Sequence, residues 1–341
     1  MNIRQLYIAI LITLSTIIVA QENHYSQFYN SPQYVNPAFA GDSWYMKTGG
    51  ATRIMKPFAG QRIINTLLHF DYKLLNQHSG LGATFYHHTE QLAHTKVQFN
   101  YSYTIRMKNN AWAKAGVGLS MNQTGSNATT LKYPDQYDVY GYTGLPTAET
   151  SLRDNSYFPG LSAGVILYNK IIWMSFSGDY LNLPTENFAG QKTTYPVKIV
   201  VMTGMLYPVN KRTSRRRFSK FGGLVPYSSI GPVFSYITQG KYIEISAGTA
   251  FHIQPVFGGV HYRYQHDFRI NDNKYAYRAI ALLGGYRQEE FSVTYSYDIS
   301  LSNYSVNRNG AHEFAVIYYF STQKEDYKKH ALVPLPNQML Y

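Results

Sequence analysis

Apolar and polar residues alternate along most of this chain. In Val97–Arg106 every odd position is apolar or aromatic and nearly every even one is polar, which is the two-residue period of a β-strand and not the 3.6-residue period of a helix. Phe291–Ser300 repeats the pattern, weaker copies run through 161–168, 171–180, 243–252 and 256–264, and His312–Phe320 carries the last. Together such segments predict about 14 antiparallel strands between Trp44 and Phe320, each about 10 to 14 residues long. That length suits a strand crossing a hydrocarbon core at about 45°, whereas strands of soluble sandwiches usually run to about 5 or 6 residues.

The connections sharpen the choice. Short ones at Asn109-Asn110, Asn169-Lys170 and Arg287–Glu289 alternate with longer ones at Gly125–Tyr157, Leu181–Tyr195 and Leu301–Asn309. Bacterial barrels have short periplasmic turns at one end and long external loops at the other. Asn210–Phe221 is the exception, long on the side predicted to be short. Composition then adds weight. Only 15% of residues are charged and 16% are aromatic, with 33 Tyr and 18 Phe, so a secreted β-sandwich would need an unusually large core to bury an aromatic face on nearly every strand. The polar alternates predict a wet or loosely plugged lumen. Trp44, Trp112 and Trp173 fall near predicted strand ends, where indole rings sit at the headgroup level.

Residues 1–20 carry Arg4 and an apolar run from Leu6 to Ala20, the build of a secretory signal peptide. No later stretch is long and apolar enough for a helical span, so entry into a membrane requires a closed barrel. Cysteine is absent, which excludes disulfide scaffolds, thiol catalysis and cysteine-based zinc sites. The predicted organisation is a signal peptide at 1–20, an N-terminal plug or latch at 21–43, an outer-membrane β-barrel at 44–320 and a periplasmic tail at 321–341.

The segment after the signal, Tyr25-Ser26-Gln27-Phe28-Tyr29-Asn30-Ser31-Pro32-Gln33-Tyr34-Val35-Asn36-Pro37-Ala38-Phe39-Ala40-Gly41, resembles the opening signature of the PorP/SprF family of type IX secretion membrane proteins. Phe158–Val165, Ser175–Thr185, Tyr295–Asp298 and Ala311–Phe314 resemble that family in the same order. Thr52–Pro57 departs from the family's Tyr-Arg-x-Gln-Trp-like stretch and keeps only Arg53. The resemblance implies an outer-membrane barrel that supports secretion or surface anchoring of large adhesins, including those of gliding motility, by engaging the cargo's C-terminal domain. It also implies, as an alternative, a tether between the periplasmic secretion ring and the membrane. A passive pore for small solutes is the reading from a different class.

Candidate site residues follow. In the family motif, Gln27, Phe28, Tyr29, Asn36, Pro37, Ala38, Phe39 and Gly41 are read as plug or partner contacts. Pro32 and Pro37 remove two backbone donors and favour extended conformations at Ser31 and Asn36. Lys211, Arg212, Arg215, Arg216 and Arg217 form the densest charge in the chain, read as a patch for an acidic periplasmic partner; an exported barrel would rarely meet nucleic acid. The net charge of +12 favours outer-membrane lipid and lipopolysaccharide without a dedicated site. His87 and His88 point to opposite faces of any regular strand and make a poor metal pair. No phosphate loop, zinc-protease or serine-hydrolase element is present, so neither catalytic activity nor a cofactor is expected.

Overall fold

The computed structural model describes residues 25, 27, 30–42, 46–55, 63–74, 78–89, 92–109, 111–126, 137–138, 141–143, 155–169, 171–188, 191–209, 228–253, 255–268, 276–288, 290–302 and 310–320. The strands, in chain order, begin with β1 (Met46–Met55), β2 (Ile63–Lys73), β3 (Ser79–Thr89), β4 (Leu92–Arg106) and β5 (Trp112–Ser126). A two-residue hairpin, β6 (Tyr137–Asp138) with β7 (Gly141–Tyr142), precedes β8 (Asn155–Tyr168) and β9 (Ile172–Asp179). A second small hairpin, β10 (Thr185–Phe188) with β11 (Gln191–Thr194), leads to β12 (Lys198–Met205) and its short continuation β13 (Tyr207–Pro208). The chain ends in β14 (Ser228–Gln239), β15 (Tyr242–Ile253), β16 (Val256–Asp267), β17 (Tyr277–Arg287), β18 (Phe291–Ser300) and β19 (Ala311–Phe320).

Apart from the two small hairpins, these strands form one antiparallel sheet that closes on itself as a barrel of 14 strands. β1 pairs with β19 from Met46↔Phe320 to Met55↔Ala311, and β12 bridges β9 and β14. Closure leaves no sheet edge to aggregate. Among the described residues no helix is long and apolar enough to cross a membrane.

The burial pattern is the reverse of a soluble protein. Phe99 and Leu119 are each 66% exposed, while their polar neighbours Gln98 and Asn100 on β4 and Asn122 on β5 are 1%, 3% and 0% exposed. Apolar side chains face outward along β4, β5 and β18 and polar ones inward, an arrangement stable only with lipid outside. The predicted alternation is therefore real, but its apolar face is the surface and its polar face the core.

Connections 74–78, 107–111, 169–171, 254–255 and 288–290 gather at one end, together with the start of β1 and the end of β19. Short turns mark that end as periplasmic. Connections 127–154, 180–197, 268–276 and 301–310 lie at the other, external end. β5 runs to Ser126 and β8 starts at Asn155, so the expected loop 125–157 is shorter than its predicted bounds because strand pairing continues past the turn signals. The long connection 206–227 does fall at the short-turn end.

The tryptophans correct another expectation. Trp112 and Trp173 are 4% and 0% exposed and point into the lumen near the periplasmic end, where Trp112 stacks on Tyr168 at 5.8 Å. Their positions in the alternation match Lys114 and Ser175, both luminal, and this parity decided their direction over the general preference of indoles for headgroups. Trp44 lies outside the described residues.

Candidate functional site

Residues 25, 27 and 30–42 lie inside the barrel. Gln27 sits in the external half, where its backbone N–H donates to Glu313 Oε1 at 2.8 Å and its side-chain amide donates to Ser296 Oγ at 2.9 Å. From there the chain descends to the periplasmic end, where Gly41 N–H donates to the Asp71 carboxylate and Lys114 Nζ meets Asp42 Oδ1 at 3.3 Å. Two 3-10 turns, Pro32–Tyr34 and Pro37–Phe39, shape the descent, each with proline in its first turn, where a missing N–H is tolerated. Asn36 has the extended backbone expected before Pro37, whereas Ser31 does not. The two short turns were not foreseen; the Asn36 side-chain oxygen accepts from Ala38 N at 2.8 Å and caps the second.

The barrel wall makes room for this path. Asn36 Nδ2 donates to Ser175 Oγ at 2.8 Å and to the Phe176 carbonyl at 3.2 Å. Ser177 and Ser102 donate to the carbonyls of Val35 and Ala40 at 2.9 and 2.7 Å, and Gln33 Nε2 donates to the Phe70 carbonyl at 2.8 Å. A Cβ added at Gly116 would collide with the backbone of Pro37 and Ala38, and one at Gly164 with the Asn36 side chain. Glycine in a strand interior marks such a close backbone approach. Below, Phe39 meets Trp173 edge-on at 6.1 Å.

Buried charge fixes the external half. Arg53 Nη2 reaches Asp298 Oδ2 at 2.6 Å and Nη1 reaches Glu313 Oε2 at 3.1 Å, while Arg263 contacts Asp298 at 3.4 Å and Glu244 at 3.5 Å. At the periplasmic end Lys47 pairs with Asp71 at 3.2 Å. Charges this deeply buried are held by partners one or two strands away, and removing one partner leaves another charge uncompensated in low dielectric.

A second feature lies at the external ends of β8 and β9. Phe158, Tyr180 and Tyr195 form a buried cluster beneath the hairpin β10–β11. Lys96 pairs with Asp179 and lies 4.7 Å from the Tyr180 ring centre, and Tyr180 Oη donates to Asn122 Oδ1 at 3.2 Å. Asn182 spans the flank of β8 that β9 does not reach, accepting from Leu161 N at 3.0 Å and donating to the Pro159 carbonyl at 2.9 Å. In the hairpin, burial pushes the Glu186 carboxyl up, partly offset by bonds with Thr124 and Tyr195. Facing the luminal segment from the opposite wall is a cavity with about 20 Å³ of free volume, lined in part by Tyr25, Ser31, Tyr34, Met202, Ile237 and Arg263. It has room for about one water molecule.

Among the predicted site residues, Gln27, Asn36, Pro37, Ala38, Phe39 and Gly41 are thus brought together in the lumen. Phe28, Tyr29, Lys211, Arg212, Arg215, Arg216 and Arg217 lie outside the described residues. His87 and His88 do diverge, to Thr95 Oγ1 and Asn65 Oδ1. The sequence reading named Arg53 only as the residue kept from the family's stretch and quoted Gly164, Asp298 and Glu313 only within the stretches that carry the resemblance; it gave no role to Gly116, Gly164 or the Arg53–Asp298–Glu313 cluster. The signal was present: Asp298 and Glu313 sit on the polar phase of two strongly alternating strands, where a charge must be paired.

A closed barrel with a lipid-facing exterior, a charged lumen and an internal N-terminal segment defines an integral outer-membrane β-barrel. The chain belongs to the family described as type IX secretion system membrane protein PorP/SprF, whose model matches residues 18–318. No curated protein matches it. Solved structures similar to it include Acinetobacter baumannii outer membrane protein Omp33, at 8% identity over 82% of this chain and 100% of that one, with a TM-score of 0.43. The CymD monoaromatic hydrocarbon channel is similar at 12% identity, 89% and 95% coverage and a TM-score of 0.45. A deltaS2S3 mutant of the TodX monoaromatic hydrocarbon channel is similar at 10% identity, 88% and 95% coverage and a TM-score of 0.48.

Proposed function

We propose that this barrel retains a secreted type IX cargo protein at the cell surface by binding its C-terminal domain through the external loops, chiefly 127–154 and 180–197. The observation that carries this reading is the lumen. Residues 25, 27 and 30–42 lie within it, held by hydrogen bonds to β2, β4, β9, β18 and β19, which favours work at the rims over solute transport through the centre. Long loops on a rigid barrel are where binding residues concentrate. Deleting 127–154 is expected to release cargo into the medium while the barrel remains in the membrane; cargo still held on cells carrying that deletion would refute the loop assignment.

A second reading places the partner in the periplasm. It is favoured by the long 206–227 connection at the short-turn end, which carries Lys211, Arg212, Arg215, Arg216 and Arg217. Charge reversal at Arg215, Arg216 and Arg217 is then expected to abolish co-purification with periplasmic secretion components, and unchanged recovery would remove this reading.

A further inference from the structure

The luminal segment and the external loop 180–197 are joined by an unbroken chain of packed rings. Tyr34 lies 5.3 Å from Tyr86 and Tyr25 6.3 Å from it. Tyr86 reaches His94 at 6.3 Å. His94 in turn meets Phe158 at 6.4 Å and Tyr195 at 6.5 Å, and Tyr195 lies 5.3 Å from Tyr180. The chain therefore leads from Tyr25 and Tyr34 through the inward faces of β3, β4 and β8 to both ends of the loop. Ring pairs at these separations attract one another beyond the area they bury.

The loop end of this chain is strained. Tyr180 and Leu183 have φ of 59° and 46°, left-handed values that disfavour residues with a Cβ and persist only where surrounding contacts over-determine them. Here the contacts are the ring cluster, the Lys96–Asp179 pair and the Tyr180–Asn122 hydrogen bond. A loop with stored strain at both Tyr180 and Leu183, released when its rings are withdrawn, supplies the two-state element that coupling between distant sites requires.

We propose that loop 180–197 and the luminal segment act as one coupled unit. A partner that lifts Tyr180 and Tyr195 out of the wall loosens the seat of Tyr34 and Tyr25, and unseating the segment frees the loop, since such coupling is reciprocal. The inference rests on the anchor reading only for the nature of the partner, a secreted protein domain; the linkage itself is a property of the isolated barrel.

The absence of cysteine makes the test direct. Single-cysteine reporters are placed in the purified barrel at Pro184→Cys in the loop, Ser31→Cys in the luminal segment and Ser292→Cys on β18, all at buried positions, and their thiol labelling rates are compared. Tyr86→Ala, which breaks the chain in the middle, is expected to speed labelling at Pro184→Cys and Ser31→Cys by about tenfold, within the usual range of coupling between sites, and to leave Ser292→Cys unchanged. Tyr180→Ala is expected to speed labelling at Ser31→Cys, and Tyr86→Phe, which keeps the ring, to change none of the rates. Unchanged labelling at Ser31→Cys in Tyr180→Ala, or an equal rise at all three reporters in Tyr86→Ala, overturns the linkage. No partner enters the assay, so its failure would leave the anchor reading standing, just as cargo retention after loop deletion would leave this linkage standing.

Discussion

The two sides of the barrel treat the luminal segment differently. From β2 to β9 the wall is cut to the path of residues 33–41: glycine at 116 leaves a gap for the Pro37–Ala38 backbone and at 164 for the Asn36 side chain, Ser102 and Ser177 donate to main-chain carbonyls, and Ser175 accepts from Asn36. From β12 to β16 the wall meets the segment through side chains. Lys198 lies 5.2 Å from the Tyr34 ring centre, and Met202, Ile237 and Arg263 face Tyr25, Ser31 and Tyr34 across a small cavity. One wall recognises a chain path and the other only fills space. Backbone recognition is the more demanding, because a gap sized for a peptide unit admits no added methyl group, whereas side chains across a cavity can shift rotamers.

The largest effect should come from filling the gaps. The parent barrel is expected to be nearly silent in planar bilayers, and Gly116→Leu combined with Gly164→Leu to displace residues 36–38 and make it conduct. Gly284→Ala, where an added Cβ meets open space, should leave conductance unchanged; conductance in that control, or silence in the double variant, would break the comparison. Next comes the charge that fixes the external half. Arg53→Ala leaves Asp298 and Glu313 without their shared guanidinium and is expected to lower unfolding stability by about 3–5 kcal/mol, read from denaturant titration in detergent. A smaller loss is expected from Asn36→Ala. It removes the turn cap and the bond to Ser175, at a cost of about 1–3 kcal/mol, and a neutral result there would mean that the glycine gaps alone position the segment.

Much of this was legible in the sequence, and for identifiable reasons. Val97–Arg106 and Phe291–Ser300 alternate so strictly that strand type, strand phase and the closed barrel follow, because only a barrel satisfies every backbone group in lipid. The stretches that carry the family resemblance also turned out to be neighbours: Gln27 touches Ser296 and Glu313, and Asn36 touches Ser175 and the strand at Gly164. Trp112 and Trp173 were misread because the preference of a residue type was set above its phase within its own strand. The 3-10 turns at Pro32 and Pro37 were missed because proline permits both an extended entry and a first helical turn, and the capping contact that chooses between them is made by Asn36 only once the segment is enclosed.

Alternation acts between residues two apart, so the sequence by itself determined which positions face lipid, that the strands number about 14 and that the interior is polar. Which polar residues meet is a matter of register around a closed ring. Arg53 finds Glu313 across β1 and β19, the first and last strands, and Phe39 finds Trp173 only because residues 30–42 lie within the barrel that the rest of the chain builds. Those encounters join positions far apart along the chain, and closure of the barrel around its own N-terminal segment alone decides them.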